Sequence, residues 1–287
     1  MPKSQILSYE EIARLVHIFA ALGIRKIRLT GGEPTMRADI CHLVSSLSQI
    51  KGITDVNMTT NAYTLPKLAK KLYDAGLHKI NVSLDTLDPE VFHSLSRGFS
   101  IEPVLKGLSI AKDLGYAIKL NAVLLKGVNE DAIFPLIEYC AENDFVLRFI
   151  EYMPFDARWH ECLSNHEIRQ RISARYTLQP MLHSTQTAGP AQQEWLVETQ
   201  SQIGFISPLS NRFCASCNRL RLSAKGELRT CLAHEDAPTL GALLRQGASD
   251  EEIMNQIRMQ VWGKREGHFC EEDGGTPFQG VMTRIGG

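Results

Sequence analysis

The sequence predicts an α/β fold built on a parallel sheet, barrel or open, with a smaller module after it. Three observations carry this. Apolar residues recur at helical spacing in five segments of the first half, a strand-like run follows each segment, and the runs are spaced like successive βα units. The runs start near residues 26, 55, 79, 117 and 146, intervals of 29, 24, 38 and 29. Parallel strands need crossovers of that length.

Each element has a local cause. Ser8 and Glu11 form a capping box, and Ile12, Leu15, Val16, Phe19 and Leu22 fall on one helical face until Gly23 stops it. A strand over 26–30 then ends in the turn of Gly31, Gly32, Glu33 and Pro34. Ile40, Leu43, Val44, Leu47 and Ile50 make the next stripe, ahead of a strand over 55–59 that runs into Thr60 and Asn61. Leu65, Leu68 and Leu72, stopped at Gly76, precede a strand over 79–83. Val104, Leu108, Ala111 and Leu114 precede one over 117–125, and Ile133, Leu136, Ile137 and Cys140 one over 146–151.

The strand ends are polar or glycine-rich: Gly31 to Pro34, Thr59 to Asn61, Ser83 to Asp85, Lys119 with Asn121, and Glu151 to Pro154. Turns begin at strand ends, so any one cluster alone has a bland explanation. Five together point to a binding rim, because ligands of parallel sheets sit at the carboxyl edges of the strands. The period changes after Phe155, which places a domain boundary near Pro154. Residues 1–154 form the parallel unit. Residues 155–287 form the smaller module, with candidate strands at 194–197 and 202–206 and helices around 240–244 and 253–261.

Composition narrows the class of function. The 287 residues hold 31 Lys+Arg against 32 Asp+Glu, a balance that argues against a main role in coating nucleic acid or an anionic membrane. Hydrophobic and charged shares of 44% and 22% are those of an ordinary globular chain. No stretch approaches the ~18 apolar residues of a membrane span, and the first residues carry no signal-like apolar block, so a cytoplasmic location is expected.

Seven cysteines do not read as a secreted disulfide scaffold. Cys214 and Cys217, followed by Cys231, have C-x2-C-x13-C spacing, which can bring three thiolates to one metal centre. Two readings stand at this point. Zinc would take His234 as a fourth ligand, whereas an iron-sulfur cluster on three cysteines would leave one iron open. Arg219 and Arg221 alternate between these cysteines, and guanidinium forks suit phosphate oxygens. Lys26 and Arg28 alternate likewise on the first strand. Cys41, Cys140, Cys162 and Cys270 read as unpaired thiols.

Taken in order, the segments 28–34 (Arg28 to Pro34), 58–61, 81–85, 119–121, 148–154, 204–208 and 213–222 form a specific set. The chain resembles, over nearly its whole length, the molybdenum cofactor biosynthesis protein A family, radical S-adenosylmethionine (SAM) enzymes that act as GTP 3',8-cyclases. The resemblance implies a partial TIM-type barrel and a C-terminal 4Fe-4S cluster that binds the guanine of GTP. In the family a SAM-derived radical removes hydrogen from the ribose 3' carbon, which then attacks C8. Matching positions assign Gly32, Ser83 and Met153 to SAM, and Lys26, Arg28, Thr59, Lys119, Arg148, Arg219 and Arg221 to GTP. Cys214, Cys217 and Cys231 match the cluster ligands, which favours iron-sulfur over zinc and leaves His234 a bystander. The terminal Gly286 and Gly287 match a glycine tail that reaches into the site.

One departure bears on activity. The family's other 4Fe-4S cluster is held by C-x3-C-x2-C, and no three cysteines of this sequence have that spacing. The alignment of motifs places the first residue just after that loop, so a shortened barrel lacking the first strand is expected, with activity in doubt for this chain alone. Two alternatives follow: a non-catalytic remnant that binds GTP and a cluster, or a zinc-stabilised scaffold for a protein partner. A downstream pterin-forming synthase and a second copy of the chain are the protein partners considered. Nucleic acid and membrane are not.

Overall fold

The computed structural model describes residues 5–181, 189–233, 238–265 and 267. All five expected strands are present and start where the pattern placed them: β1 (Lys26–Leu29), β2 (Asp55–Thr60), β3 (Lys79–Ser83), β4 (Ala117–Ala122) and β5 (Val146–Ile150). The chain packs as two compact units that do not follow sequence order. One holds Met1–Met58, Lys71–Leu77 and Cys214–Gly287, the other Thr59–Lys70 and His78–Phe213.

In the first unit β1 lies parallel to β2, with Lys26 opposite Asp55 and Leu29 opposite Met58. Helix α1 (Tyr9–Ala21) starts at the expected capping box, both halves of which are formed, and turns Leu15, Val16 and Phe19 inward. It packs on α2 (Ile40–Ser48), whose buried face is Leu43, Val44 and Leu47. The C-terminal part of the chain returns to this core. Arg14 of α1 pairs with Asp250 at 2.8 Å, and Glu11 with Arg245 at 3.0 Å, tying α1 to α8 (Leu240–Arg245) and α9 (Asp250–Trp262). The Leu7 amide donates to Ala224 O at 2.8 Å, in the turn between the short antiparallel strands β9 (Arg221–Leu222) and β10 (Leu228–Arg229).

The second unit continues the parallel sheet beyond residue 154. Strand β8 (Ser201–Ile206) lies parallel to β5, Leu147 opposite Ile203 and Ile150 opposite Ile206, while β7 (Gln192–Leu196) and β6 (Leu178–Pro180) follow antiparallel. The order is β3, β4, β5, β8, β7, β6. Helix α3 (Leu65–Asp74) runs from this unit into the other. Helices α4 (Pro89–Leu95), α5 (Glu102–Asp113), α6 (Ile133–Asn143) and α7 (Asn165–Ser173) complete its helical elements among the described residues.

Strand register explains which side chains meet. Ile80 and Val82, Ile118 and Leu120, Leu147 and Phe149, and Ile203 and Phe205 share one face of β3, β4, β5 and β8, and all are buried. The opposite face carries Asn81 and Ser83, Lys119 and Asn121, then Arg148 and Gly204. A slip of one residue would exchange these sets, so the apolar core fixes the polar face as well.

Candidate functional site

The first unit gathers one group of expected residues. Arg28 on β1 donates through Nε to Asn57 Oδ1 at 3.1 Å, its register partner on β2. Although Arg28 retains solvent contact, the protein packed around its guanidinium desolvates it. That, reinforced by the Arg219 charge and opposed by Asp55, holds its pKa below the ordinary value. Arg221 is lowered in the same way, by burial first and then by Arg219 and Arg28, while Cys231 and Cys217 pull the other way. The Arg219 charge thus acts on both Arg28 and Arg221, and Cys217 and Cys231 offset it at Arg221. Lys26 opens β1 on the face that Arg28 shares.

The turn after β1 is open where a ligand would need it to be. Gly31 takes φ +145°, a conformation that L side chains rarely adopt, and a Cβ on Gly32 would meet nothing within 4 Å. Glu33 caps the short helical turn that follows, accepting from the Thr35 amide at 3.1 Å and its hydroxyl at 2.6 Å.

The cysteine segment is held at both ends. Cys214 and Cys217 lie on one tight turn, closed by the Cys217 amide on Cys214 O at 3.0 Å, and Cys231 follows β10 by two residues. Lys264, just past α9, donates through Nζ to Cys217 O at 2.6 Å and Arg219 O at 3.3 Å. Gly267 passes beside Cys214, where a Cβ would stand 3.8 Å from its sulfur. Burial alone would push the Cys217 thiol up. Hydrogen bonds and charge from Arg219, with the charge of Lys264, outweigh it and leave the pKa below its usual value.

Three thiols, that of Cys217 among the charges of Arg219 and Lys264, are a donor set that fits an iron-sulfur cluster, which takes thiolates. Among the described residues no three His, Cys, Asp or Glu side chains are grouped to hold a single metal ion. His234, Cys270, Gly286 and Gly287 lie outside the described residues. Burial raises the thiol pKa of Cys41, Cys140 and Cys162, as expected of cysteines without a metal role. Cys162 Sγ instead accepts from the Tyr152 amide at 3.1 Å.

The second unit gathers the other group on the polar face of its sheet. Ser83 ends β3 and stands level with Asn121, which stands level with Arg148. Buried Arg148 donates to Asn81, and Gly204 leaves it room: a Cβ there would come within 3.1 Å of Arg148 Cγ. Lys119 is level with Asn81, and Thr59 lies near the carboxyl end of β2. Met153 follows β5, where its carbonyl accepts from the Phe155 amide at 2.8 Å. From the sequence, Asn81 and Lys264 had no expected site role, and Asn121 and Glu151 stood only in the polar clusters of the expected rim. Polar residues at every second position of 79–83, and at 119 and 121, are the signal that could have marked the two asparagines.

Glu151 organises the loops beyond β5 and β8. Its buried carboxylate accepts from the amides of Asn165 (3.3 Å), Leu209 (3.2 Å) and Ser210 (3.1 Å), and from the Ser210 hydroxyl at 2.5 Å. Asp85, beyond β3, accepts from the Val123 amide at 2.8 Å. Burial pushes its pKa up to about 6, partly offset by that bond.

Comparison with known proteins bears on the family and the fold. The radical SAM superfamily model matches residues 1–140, and the Molybdenum Cofactor Synthesis C model matches 145–270. The structure of Streptococcus suis SuiB bound to S-adenosylmethionine shares the fold, with a TM-score of 0.57 over 88% of this chain and 60% of that one at 18% identity. Fold and family models together define a radical SAM protein, a class that carries a 4Fe-4S cluster and binds SAM.

Curated relatives narrow the class. The GTP 3',8-cyclase of Paracoccus denitrificans (strain Pd 1222) is 40% identical over 275 residues, 93% of this chain and 79% of that protein. Those of Thermodesulfovibrio yellowstonii (41% over 272 residues, 93% and 84%) and Pseudomonas putida strain W619 (39% over 295 residues, 100% and 88%) are similar to the same degree. The chain belongs to the GTP 3',8-cyclase family. Among the described residues no helix is long and apolar enough to cross a membrane.

Proposed function

We propose that the chain acts in molybdenum cofactor biosynthesis as a GTP 3',8-cyclase, converting GTP to 3',8-cyclo-7,8-dihydroguanosine triphosphate. Family membership favours this over the zinc-stabilised scaffold. What supports the substrate reading is that the Arg219 charge bears on both Arg28 and Arg221, with Cys217 and Cys231 near enough to Arg221 to offset it. Three guanidiniums that repel one another when alone are relieved by a polyanion, and a triphosphate offers charge and fork-shaped acceptors together.

The remaining assignments belong to the same reading. Cys214, Cys217 and Cys231 hold a C-terminal 4Fe-4S cluster. Gly32, Ser83 and Met153 bind SAM, the open turn at Gly32 admitting close approach. Lys26, Thr59, Lys119 and Arg148 join the arginines on GTP. When bound, SAM and the 4Fe-4S cofactors of the family would supply the radical chemistry; this sequence has cysteines spaced for the C-terminal cluster only, and the chain's own part is to bind, orient and neutralise. Residues 1–154 serve as the SAM unit and 155–287 as the substrate module. A cytoplasmic location, a homodimer and hand-over to a pterin-forming synthase complete the proposal.

The test is GTP binding to the anaerobically reconstituted chain. Replacing Arg219 and Arg221 together by Ala should weaken affinity at least tenfold, since each charge-assisted bond contributes about 1.5–3 kcal/mol. It should also flatten the salt dependence. Unchanged affinity would remove both residues from the site.

A further inference from the structure

Arg229 is a largely enclosed cation without a matching acceptor among the described residues. It lies on β10 directly opposite Arg221 of β9, so both side chains rise from one face of the ribbon. Two like charges in that position destabilise a strand pair unless something negative lies between them. The nearest carboxylate is at the limit of an ion pair, Glu227 Oε2 at 4.0 Å from Nη2. Nε and Nη1 are fully enclosed and have no hydrogen-bond partner among the described residues. Leaving such donors unpaired costs several kcal/mol.

The direction of this face is given by its neighbour. Arg221 and Arg229 pair at the open end of the antiparallel ribbon, Arg221 four residues after Cys217 and Arg229 two before Cys231. The enclosed nitrogens are closed off from water, from which a nucleotide would enter, at the end of the ribbon where one arm follows Cys217 and the other runs into Cys231. We propose that Arg229 donates Nε–H and Nη1–H to sulfur atoms of the cluster held by Cys214, Cys217 and Cys231, and thereby sets the cluster's reduction potential. This rests on the cluster assignment made above. The chemistry is N–H to sulfur hydrogen bonding, one of the means by which proteins tune such clusters. A cation and two donors favour the state with one more electron, so they raise the potential. No bond is made or broken in the protein, and in the measurement the electron comes from dithionite.

The experiment is a dithionite redox titration, read by electron paramagnetic resonance, on the reconstituted wild-type chain and on R229M, R229K and C231A. Iron and acid-labile sulfide are counted on each. The cluster reading requires about four irons per wild-type chain and their loss in C231A. Failure there overturns the cluster itself and is visible without any Arg229 variant. With iron retained, R229M should show at least a tenfold fall in the reduction equilibrium constant, about 59 mV for one electron. R229K, which keeps the charge but loses the fork, should fall between.

Full iron with an unchanged potential in both variants would overturn the proposal. So would an unchanged potential with weakened GTP binding, which would make Arg229 a phosphate contact. A second readout holds if the loaded R229M fails to assemble. In the cluster-free chain R229M should melt at a higher temperature than wild type, because it removes an unsatisfied buried guanidinium. A lower melting temperature would mean that Arg229 is satisfied by the protein alone and would overturn the proposal.

Discussion

Lys264 Nζ sits 2.6 Å from the carbonyl oxygen of Cys217 and 3.3 Å from that of Arg219, so one ammonium group fastens the loop that carries both a proposed cluster thiol and a guanidinium. Charge-assisted bonds of this kind contribute about 1.5–3 kcal/mol each when well aligned. K264M should leave the fold intact but loosen the cysteine loop. Cluster loss to an anaerobic chelator, followed by absorbance, should then run about tenfold faster than in wild type. An unchanged rate would show that the turn of Cys214 and Cys217 needs no clamp.

Much of this arrangement was legible in the sequence because it is local. Strand starts at Lys26, Asp55, Lys79, Ala117 and Val146 followed from the spacing of βα units, and the capping box at Ser8 and Glu11 from four residues. The same signal at Ser164 and Glu167 marks the start of α7 and went unread. Long-range pairings left no local trace: nothing near Ile203 says that it lies beside Leu147, and a lone lysine after a helix has no signature. The three cysteines were visible by spacing. That Arg221 faces Arg229 required the register of a ribbon two residues wide.

The Glu151 carboxylate gathers four donors from two segments, Asn165 at the start of α7 and Leu209 and Ser210 beyond β8. E151Q keeps the shape but turns an NH2 group toward amides that need an acceptor. A loss of about 2–4 kcal/mol is expected, the cost of buried donors left unmatched. Urea unfolding measures it directly. A loss below about 0.5 kcal/mol would mean that these loops are held by other contacts.

Asp85 predicts a pH dependence of definite sign. Its pKa rises from 3.8 to about 6 on folding, so between those values the folded chain holds a proton that the unfolded chain has released. Stability from this group is full below about pH 4 and falls as pH rises through 6. The displacement of about two units corresponds to about 3 kcal/mol, and residual solvent contact brings the expected effect nearer about 2 kcal/mol. Relative to wild type, D85N should therefore gain about 2 kcal/mol in urea stability between pH 4 and pH 7. A difference that does not change with pH would show that Asp85 stays ionised.

Gly226 closes the turn between β9 and β10 and has no room for any other residue. Its φ is +84°, and a Cβ would stand 2.5 Å from the Gly241 amide nitrogen and 3.3 Å from Leu7 Cδ2. The Gly226 carbonyl also accepts from the Leu240 amide at 2.7 Å, so the turn cannot retreat without breaking the start of α8. G226A adds left-handed strain, about 1 kcal/mol, to overpacking of about 1–3 kcal/mol. A loss of about 2–4 kcal/mol in global stability is expected by urea unfolding. Because the turn sets the register that places Arg221 opposite Arg229, GTP affinity should fall in the same variant even at temperatures where it remains folded. A stable G226A with wild-type GTP binding would show that the ribbon tolerates a shift at its tip without moving either arginine.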